Sequence, residues 1–113
     1  MKIFVICSVR GMDDEYRKKL ELHVDFLERA GNKVHLPHRD TDQTRSGIEI
    51  CEQNAEAIRK SDCVHVFYNS KSQGTHFDMG VAFALGKNVL VIESEPYEQG
   101  KNFARMLSDW EKR

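Results

Sequence analysis

The sequence is short of several things that would have pointed elsewhere. Its 113 residues hold three cysteines, Cys7, Cys51 and Cys63, widely spaced. An odd and scattered set builds neither a disulfide framework nor a zinc site. Cys7 and Cys63 fall in apolar, strand-like runs and read as buried thiols. Basic excess is missing too: 17 Lys and Arg stand against 18 Asp and Glu, a net charge of −1. Such a surface is not built to hold a nucleic-acid backbone. An anionic ligand has to be met locally, by backbone amides and a few side chains. Long apolar runs and a signal-peptide pattern are also lacking, so neither membrane insertion nor export is expected and the cytoplasm is. There are no repeats, low-complexity stretches or interdomain linkers, and the length suits one domain, 1–113, with one modest core. A core this small gains from burying a face against a second copy.

What is present alternates between strand-like and helix-like segments. Residues 2–7 are an apolar, β-branched run, long enough for a buried strand and short for a helix. After Ser8-Val9-Arg10-Gly11, Asp13 or Asp14 can cap a helix whose Leu20, Val24 and Leu27 recur at helical spacing, with Phe26 and Ala30 widening the stripe and Gly31 stopping it. Residues 33–37 read as a second strand closed by Pro37, and 38–45 as a polar loop. Ser46 can cap a second helix carrying Ile48, Cys51, Ala55 and Ile58. Residues 62–68 form the third strand, and Asn69 to Gly74 a polar loop. Thr75 can cap a third helix that ends at Gly86 and is apolar nearly all round, which predicts burial on more than one side and a subunit interface. Residues 88–92 are the fourth strand, and Phe103, Met106, Leu107 and Trp110 mark the last helix. With right-handed crossovers this order gives a three-layer, flavodoxin-like (Rossmann-like) α/β fold: a parallel sheet of four to five strands with helices on both faces. Ligands of such sheets bind beyond the strand C-termini where the strand order reverses, which selects the turns after strands one and three.

Those turns carry the unusual chemistry. Ser8, Arg10 and Gly11 offer a hydroxyl, a guanidinium and a pliable backbone at a helix start, a set suited to an anion, though a plain polar turn has the same composition. No arginine falls six positions after Cys7, which excludes a phosphatase loop. Around the third turn, Gly74 permits close backbone approach, Ser72 can donate to a phosphate oxygen, and Asp78 lies one turn into the helix facing the crevice. Thr75-x-x-Asp78 also reads as a capping box, and the two roles are compatible. His38 follows strand two, Asn54 lies on helix two facing the same region, Asn102 precedes the last helix as a binding or capping residue, and Phe4 is core unless the sheet end is open. His23 and His65 have no carboxylate or thiol at ligand spacing, so neither a metal nor a cofactor is expected.

Together these segments resemble the nucleoside 2-deoxyribosyltransferase superfamily, most nearly its 2′-deoxynucleoside 5′-monophosphate N-glycosidase branch. The resemblance spans nearly the whole chain. It is carried by Ser72-x-Gly74-x-x-x-Asp78-x-Gly80 with Ala82-x-Ala84-Leu85-Gly86-Lys87, by Ile6 to Gly11, and by Glu52-Gln53-Asn54. It implies cleavage or exchange of an N-glycosidic bond and a homodimer, or a higher even oligomer, with a site shared across the interface. It implies that Phe4 and His38 line the sugar and base region and that Asn102 reaches the neighbouring subunit's site. Serine at position 72, where the transferases carry Asp, suits a 5′-phosphate, because a carboxylate would repel it and a hydroxyl can donate. Two positions depart from the family. Its nucleophile is Glu where this chain has Asp78, and its proton donor is Asp where this chain has Asn54. A missing methylene removes about 1–1.5 Å of reach, and ~1 Å of misplacement can cost about 100-fold. Loss of general acid catalysis costs roughly 10²–10⁴-fold.

Three readings follow. The first is hydrolysis or base exchange on a nucleoside 5′-monophosphate, with Asp78 as nucleophile, Asn54 orienting, and Ser8, Arg10 and Ser72 on the phosphate. The second is a nucleotide-binding or sensing module that keeps the pocket without turnover. The third is an unrelated flavodoxin-like receiver or flavin carrier, against which strand three ends in Phe67-Tyr68-Asn69 with no Asp to phosphorylate.

Overall fold

The structure, a computed structural model, describes residues 1–97 and 100–113. The elements run β1 (Lys2–Ile6), α1 (Asp14–Arg29), β2 (Lys33–His35), α2 (Pro37–Asp40), α3 (Gly47–Lys60), β3 (Cys63–Phe67), α4 (Gln73–Ala84), β4 (Asn88–Glu93) and α5 (Phe103–Glu111). The strands form one sheet in the order β2-β1-β3-β4, and all three ladders are parallel. The fold is the flavodoxin-like α/β sheet. The chain steps one way from β1 to β2, then crosses back over β1 to β3 and on to β4. Right-handed crossovers therefore put α1 on one face and the later helices on the other.

Strand alternation divides the apolar side chains between these faces. Phe4, Ile6, Val64, Val66 and Val89 pack with Ile58, Met79, Ala82, Leu107 and Trp110. Ile3, Val5, Cys7 and Phe67 pack with Leu20, Val24 and Leu27 of α1. Each such side chain contributes about 1.5–3 kcal/mol when fully buried. The reversal of strand order falls between β1 and β3, so the turns after these strands open onto a common crevice.

Local chemistry moves several boundaries. The second strand stops at His35, and Pro37 begins the helical turn α2 rather than closing a strand. Proline suits the first helical position because its missing N–H would be unpaired there anyway. The Asp40 carboxylate then accepts the Leu36 N–H at 2.9 Å, securing the turn. The third helix starts earlier than expected, with Ser72 as its cap in place of Thr75. Phe26 and Ile48 lie on solvent faces, 70% and 67% exposed, so neither widens a core stripe. Cys7 is buried and Cys63 only partly so. The apolar helix α4 buries Met79 and Ala82 but leaves Phe77, Phe83 and its C-cap Leu85 exposed within the single chain. No helix among the described residues is long and apolar enough to cross a membrane.

Candidate active site

The α4 start is built in detail. The Ser72 hydroxyl oxygen accepts the Thr75 N–H at 3.2 Å, the bond that earns serine its place at helix starts. Its own hydrogen remains to donate outward. The Ser72 carbonyl accepts His76 N–H at 3.3 Å and the His76 Nδ1–H at 2.7 Å. His76 Nε2 consequently accepts from the Tyr68 hydroxyl at 2.9 Å. This bracing fixes the helix start while the amides of Gln73 and Gly74 precede its first intrahelical bond, in the position that attracts anions. A Cβ built on Gly74 would meet nothing within 4 Å, so the backbone there is open to a ligand.

Across the crevice, the β1–α1 turn is held by its own bonds. The Ser8 hydroxyl donates to the Arg10 carbonyl at 3.1 Å, and the Ser8 N–H donates to the Tyr16 hydroxyl at 3.3 Å. Gly11 takes φ +71°, a left-handed conformation that glycine adopts freely. The turn leaves the Arg10 side chain exposed at the rim.

Between these two starts lies a cavity of about 550 Å³, within the range of small-molecule sites. Ser8, Arg10, Asn54, Ser72, Gly74 and Asp78 all line it. At its inner wall Asp78 is 4% exposed and Asn54 8%. Burial pushes the Asp78 carboxyl up to about 7, and the hydrogen bond from Asn54 opposes that rise. A carboxyl raised this far exchanges its proton closer to neutral pH than an ordinary one and can act as nucleophile or base once ionised. The adjacent Cys7 thiol is pushed up to about 12, by burial and then by the charge of Asp78, and stays protonated.

Other residues singled out from the sequence lie elsewhere. Phe4 is fully buried and stacks on His35, with ring centroids 5.0 Å apart and 9° between planes. His38, on α2, has Arg17 and Glu21 of α1 among its charged neighbours and lies outside the cavity lining. Gly11 shapes its turn from outside the lining. Asn102 caps α5, accepting the Arg105 N–H at 2.8 Å, and lines a separate cavity of about 320 Å³ beside Phe83 and Trp110. In the other direction, Lys71, Gln43, Cys51 and Phe77 line the main cavity without having been singled out. Lys71 could have been found, since it precedes Ser72 in the same turn. Gln43 sits in a stretch whose course depends on α2. Among the described residues no group of three His, Cys, Asp or Glu side chains is placed to hold a metal ion.

A parallel sheet with a buried carboxylate and an amide at its switch point, facing two helix starts, defines a small-molecule enzyme of the flavodoxin-like class. The family profile described as nucleoside 2-deoxyribosyltransferase matches residues 5–108, and the chain belongs to that family. It is thus homologous to enzymes that act on nucleosides. Among solved structures, the CMP N-glycosidase BcmB of Clostridium botulinum superposes with a TM-score of 0.71 at 23% identity, over 97% of this chain and 82% of that one. A 2-deoxyribosyltransferase from Bacillus psychrosaccharolyticus gives 0.71 at 21%, over 97% and 82%. The 2-deoxyribosyltransferase of Leishmania mexicana gives 0.65 at 21%, over 91% and 79%. At these identities the likeness is one of fold. A comparison with curated proteins gives no match.

Proposed function

We propose that the chain cleaves or exchanges the N-glycosidic bond of a nucleoside 5′-monophosphate, with Asp78 as nucleophile. The observation that carries this is the buried Asp78 carboxylate on the inner wall of a cavity whose rim bears Arg10, Lys71 and Ser72. A phosphate is met by the Arg10 guanidinium, the Lys71 ammonium, the free hydrogen of Ser72 and the first amides of α4. Ser8 joins them by turning its hydroxyl away from the Arg10 carbonyl. This places the sugar over Asp78. The carboxylate attacks the anomeric carbon, the C–N bond electrons leave with the base, and the base takes its proton from water. Water or a second base then attacks the same carbon and releases the carboxylate. Asn54 orients the carboxylate and has no proton to give.

The chain acts in this reading as one cytoplasmic domain in a homodimer or higher even oligomer. Phe77, Phe83, Leu85 and Phe103 are 44%, 47%, 45% and 56% exposed and supply an apolar face on α4 and α5. A second copy covering this face would bring Asn102 near the partner's site. Sedimentation of wild type against Phe83→Lys tests this: an even oligomer that dissociates on substitution supports it, and a monomeric wild type rejects it.

The activity is tested by incubating the protein with a panel of ribo- and deoxyribonucleoside 5′-monophosphates and measuring free base by chromatography. Base release that Asp78→Ala abolishes is the expected result. No base from any substrate, with Asp78→Ala indistinguishable from wild type, rejects it. The Asn54 amide favours a second reading, a nucleotide-binding or sensing module. Its mark is saturable calorimetric binding, weakened by Ser72→Ala or Arg10→Ala, without product.

A further inference from the structure

Behind Asn54 lies a chain of buried polar contacts. The Thr41 hydroxyl donates to Asn54 Oδ1 at 2.7 Å. Thr41 Oγ1 is itself 2.8 Å from His35 Nε2. A hydroxyl has one hydrogen, and Thr41 spends it on Asn54. The His35 contact must therefore run the other way, with Nε2–H donating to Thr41. Asn54 Oδ1 is then occupied as acceptor, which leaves the amide its NH₂ to present toward Asp78, its neighbour in the cavity lining. Thr41 is 4% exposed, so both contacts are made largely out of solvent. His35 is held flat against Phe4, with 9° between the rings, and burial lowers its proton affinity.

The direction of this chain is set at its far end. If His35 carried its hydrogen on Nδ1, Nε2 would accept from Thr41, Thr41 would accept from the Asn54 NH₂, and the Asn54 carbonyl would face Asp78. A carbonyl facing a carboxylate repels it and favours the protonated acid. The amide cannot pass a proton along, so the chain orients and does not relay. We infer that His35 and Thr41 are positioning residues, which lock the Asn54 amide with its NH₂ toward Asp78 and its carbonyl away from the nucleophile. The inference rests on the proposed role of Asp78 for its catalytic consequence, but the orientation itself is a property of the free protein. The other titratable and charged groups lining the cavity with Asp78 are Cys7 at the end of β1, Arg10 in the β1–α1 turn, Cys51 of α3 and Lys71 before α4. Those around His35 are Arg39 and Asp40 of α2, with Lys2 of β1, Lys33 of β2 and Lys60 of α3 lining the same cleft.

The test combines nuclear magnetic resonance with kinetics. In wild type, ring ¹⁵N shifts should report the Nε2–H tautomer of His35; an Nδ1–H tautomer overturns the inference without any variant. In Thr41→Val, which keeps the shape and removes the hydroxyl, the ¹³C carboxyl titration of Asp78 should move up by about one pH unit, roughly a tenfold loss of ionised form below the midpoint. Thr41→Ser should restore it, and His35→Phe, which keeps the stack on Phe4, should move it as Thr41→Val does. The acidic limb of kcat/KM should follow these midpoints while rates converge above pH 9. An unmoved Asp78 titration in a folded Thr41→Val or His35→Phe protein overturns the positioning role, even if base is released. A moved titration with no base released upholds the positioning role and removes the catalytic reading instead.

Discussion

Asn54→Asp provides the sharpest test of how this site could turn over. The substitution changes one NH₂ for one oxygen, leaving volume and shape nearly constant. Its surroundings already suit a carboxyl: the Thr41 hydroxyl donates to Oδ1 at 2.7 Å, and the second atom faces Asp78 across a hydrogen bond. Two carboxyls this close and this buried do not both ionise near neutral pH, so the pair retains one proton and titrates as a dyad. That proton sits beside the cavity, where a departing base could take it. General acid catalysis is worth roughly 10²–10⁴-fold, or about 3–5 kcal/mol of barrier at 1.36 kcal/mol per factor of ten. Asp78 keeps its short reach, so we expect the lower part of that range, about 100-fold in kcat. The assay is base release from each nucleoside 5′-monophosphate between pH 5 and 9, by chromatography. Wild type should show only an acidic limb, and Asn54→Asp a bell, because both an acid and a base are then required. An Asn54→Asp protein that melts like wild type, yet releases base no faster and shows no alkaline limb, would refute the assignment of this position to the leaving base.

Asp78→Asn should change stability with pH in a defined sense. The native state keeps a proton on Asp78 up to about pH 7 that the unfolded chain loses near its ordinary value of about 4. Stability therefore falls as pH rises between these values, by about 2–4 kcal/mol, and stays lower above them. Urea unfolding of Asp78→Asn at pH 4.5 and pH 8 should show that loss removed; equal slopes for variant and wild type would contradict it. His65 acts in the opposite sense. It lies 2.9 Å from His23, and burial followed by the His23 charge lowers it to about 4, so native His65 refuses a proton that it binds in the unfolded chain below about pH 6.5. Stability falls as pH drops from about 6.5 toward 4, by about 1–2 kcal/mol after allowance for solvent screening at His23. His65→Phe should flatten this acid slope; because the Asp78 slope opposes it, each is read as a difference from wild type. Ser72→Ala should cost about 1 kcal/mol as a lost helix cap and weaken nucleoside monophosphate binding by calorimetry. Nucleosides lacking the phosphate should bind unchanged, and equal losses for both would count against a phosphate contact.

The sheet and its reversal were legible because they rest on strong local signals. The apolar runs around Ile3, Val64 and Val89 are too short for helices, and the helical spacing of Leu20, Val24 and Leu27 lies between two of them. The chemistry of the crevice was legible for a related reason: Ser8, Arg10, Ser72 and Asp78 sit next to strand ends, and topology alone brings strand ends together. What failed depended on side chains that solve a local problem in either of two ways. Ser72 and Thr75 can both start a helix, and only packing decides that Thr75 is wholly buried. Pro37 can end a strand or begin a helix, and the Asp40 carboxylate on the Leu36 amide decides for the latter. His38 and Phe4 were placed by resemblance, and neither lines the main cavity of the single chain. Thr41 was invisible as part of a polar loop, because its importance lies in three contacts in series and in no single residue type.

The Ser72 hydroxyl accepts from the Thr75 amide with the same oxygen that would offer its hydrogen to a ligand. Aspartate begins helices as well as serine does, but presents an anion where serine presents a donor. Exchange at this one position would leave the architecture untouched while inverting the charge the pocket tolerates. Discrimination between phosphorylated and unphosphorylated sugars can thus drift within such a scaffold without first destabilising it.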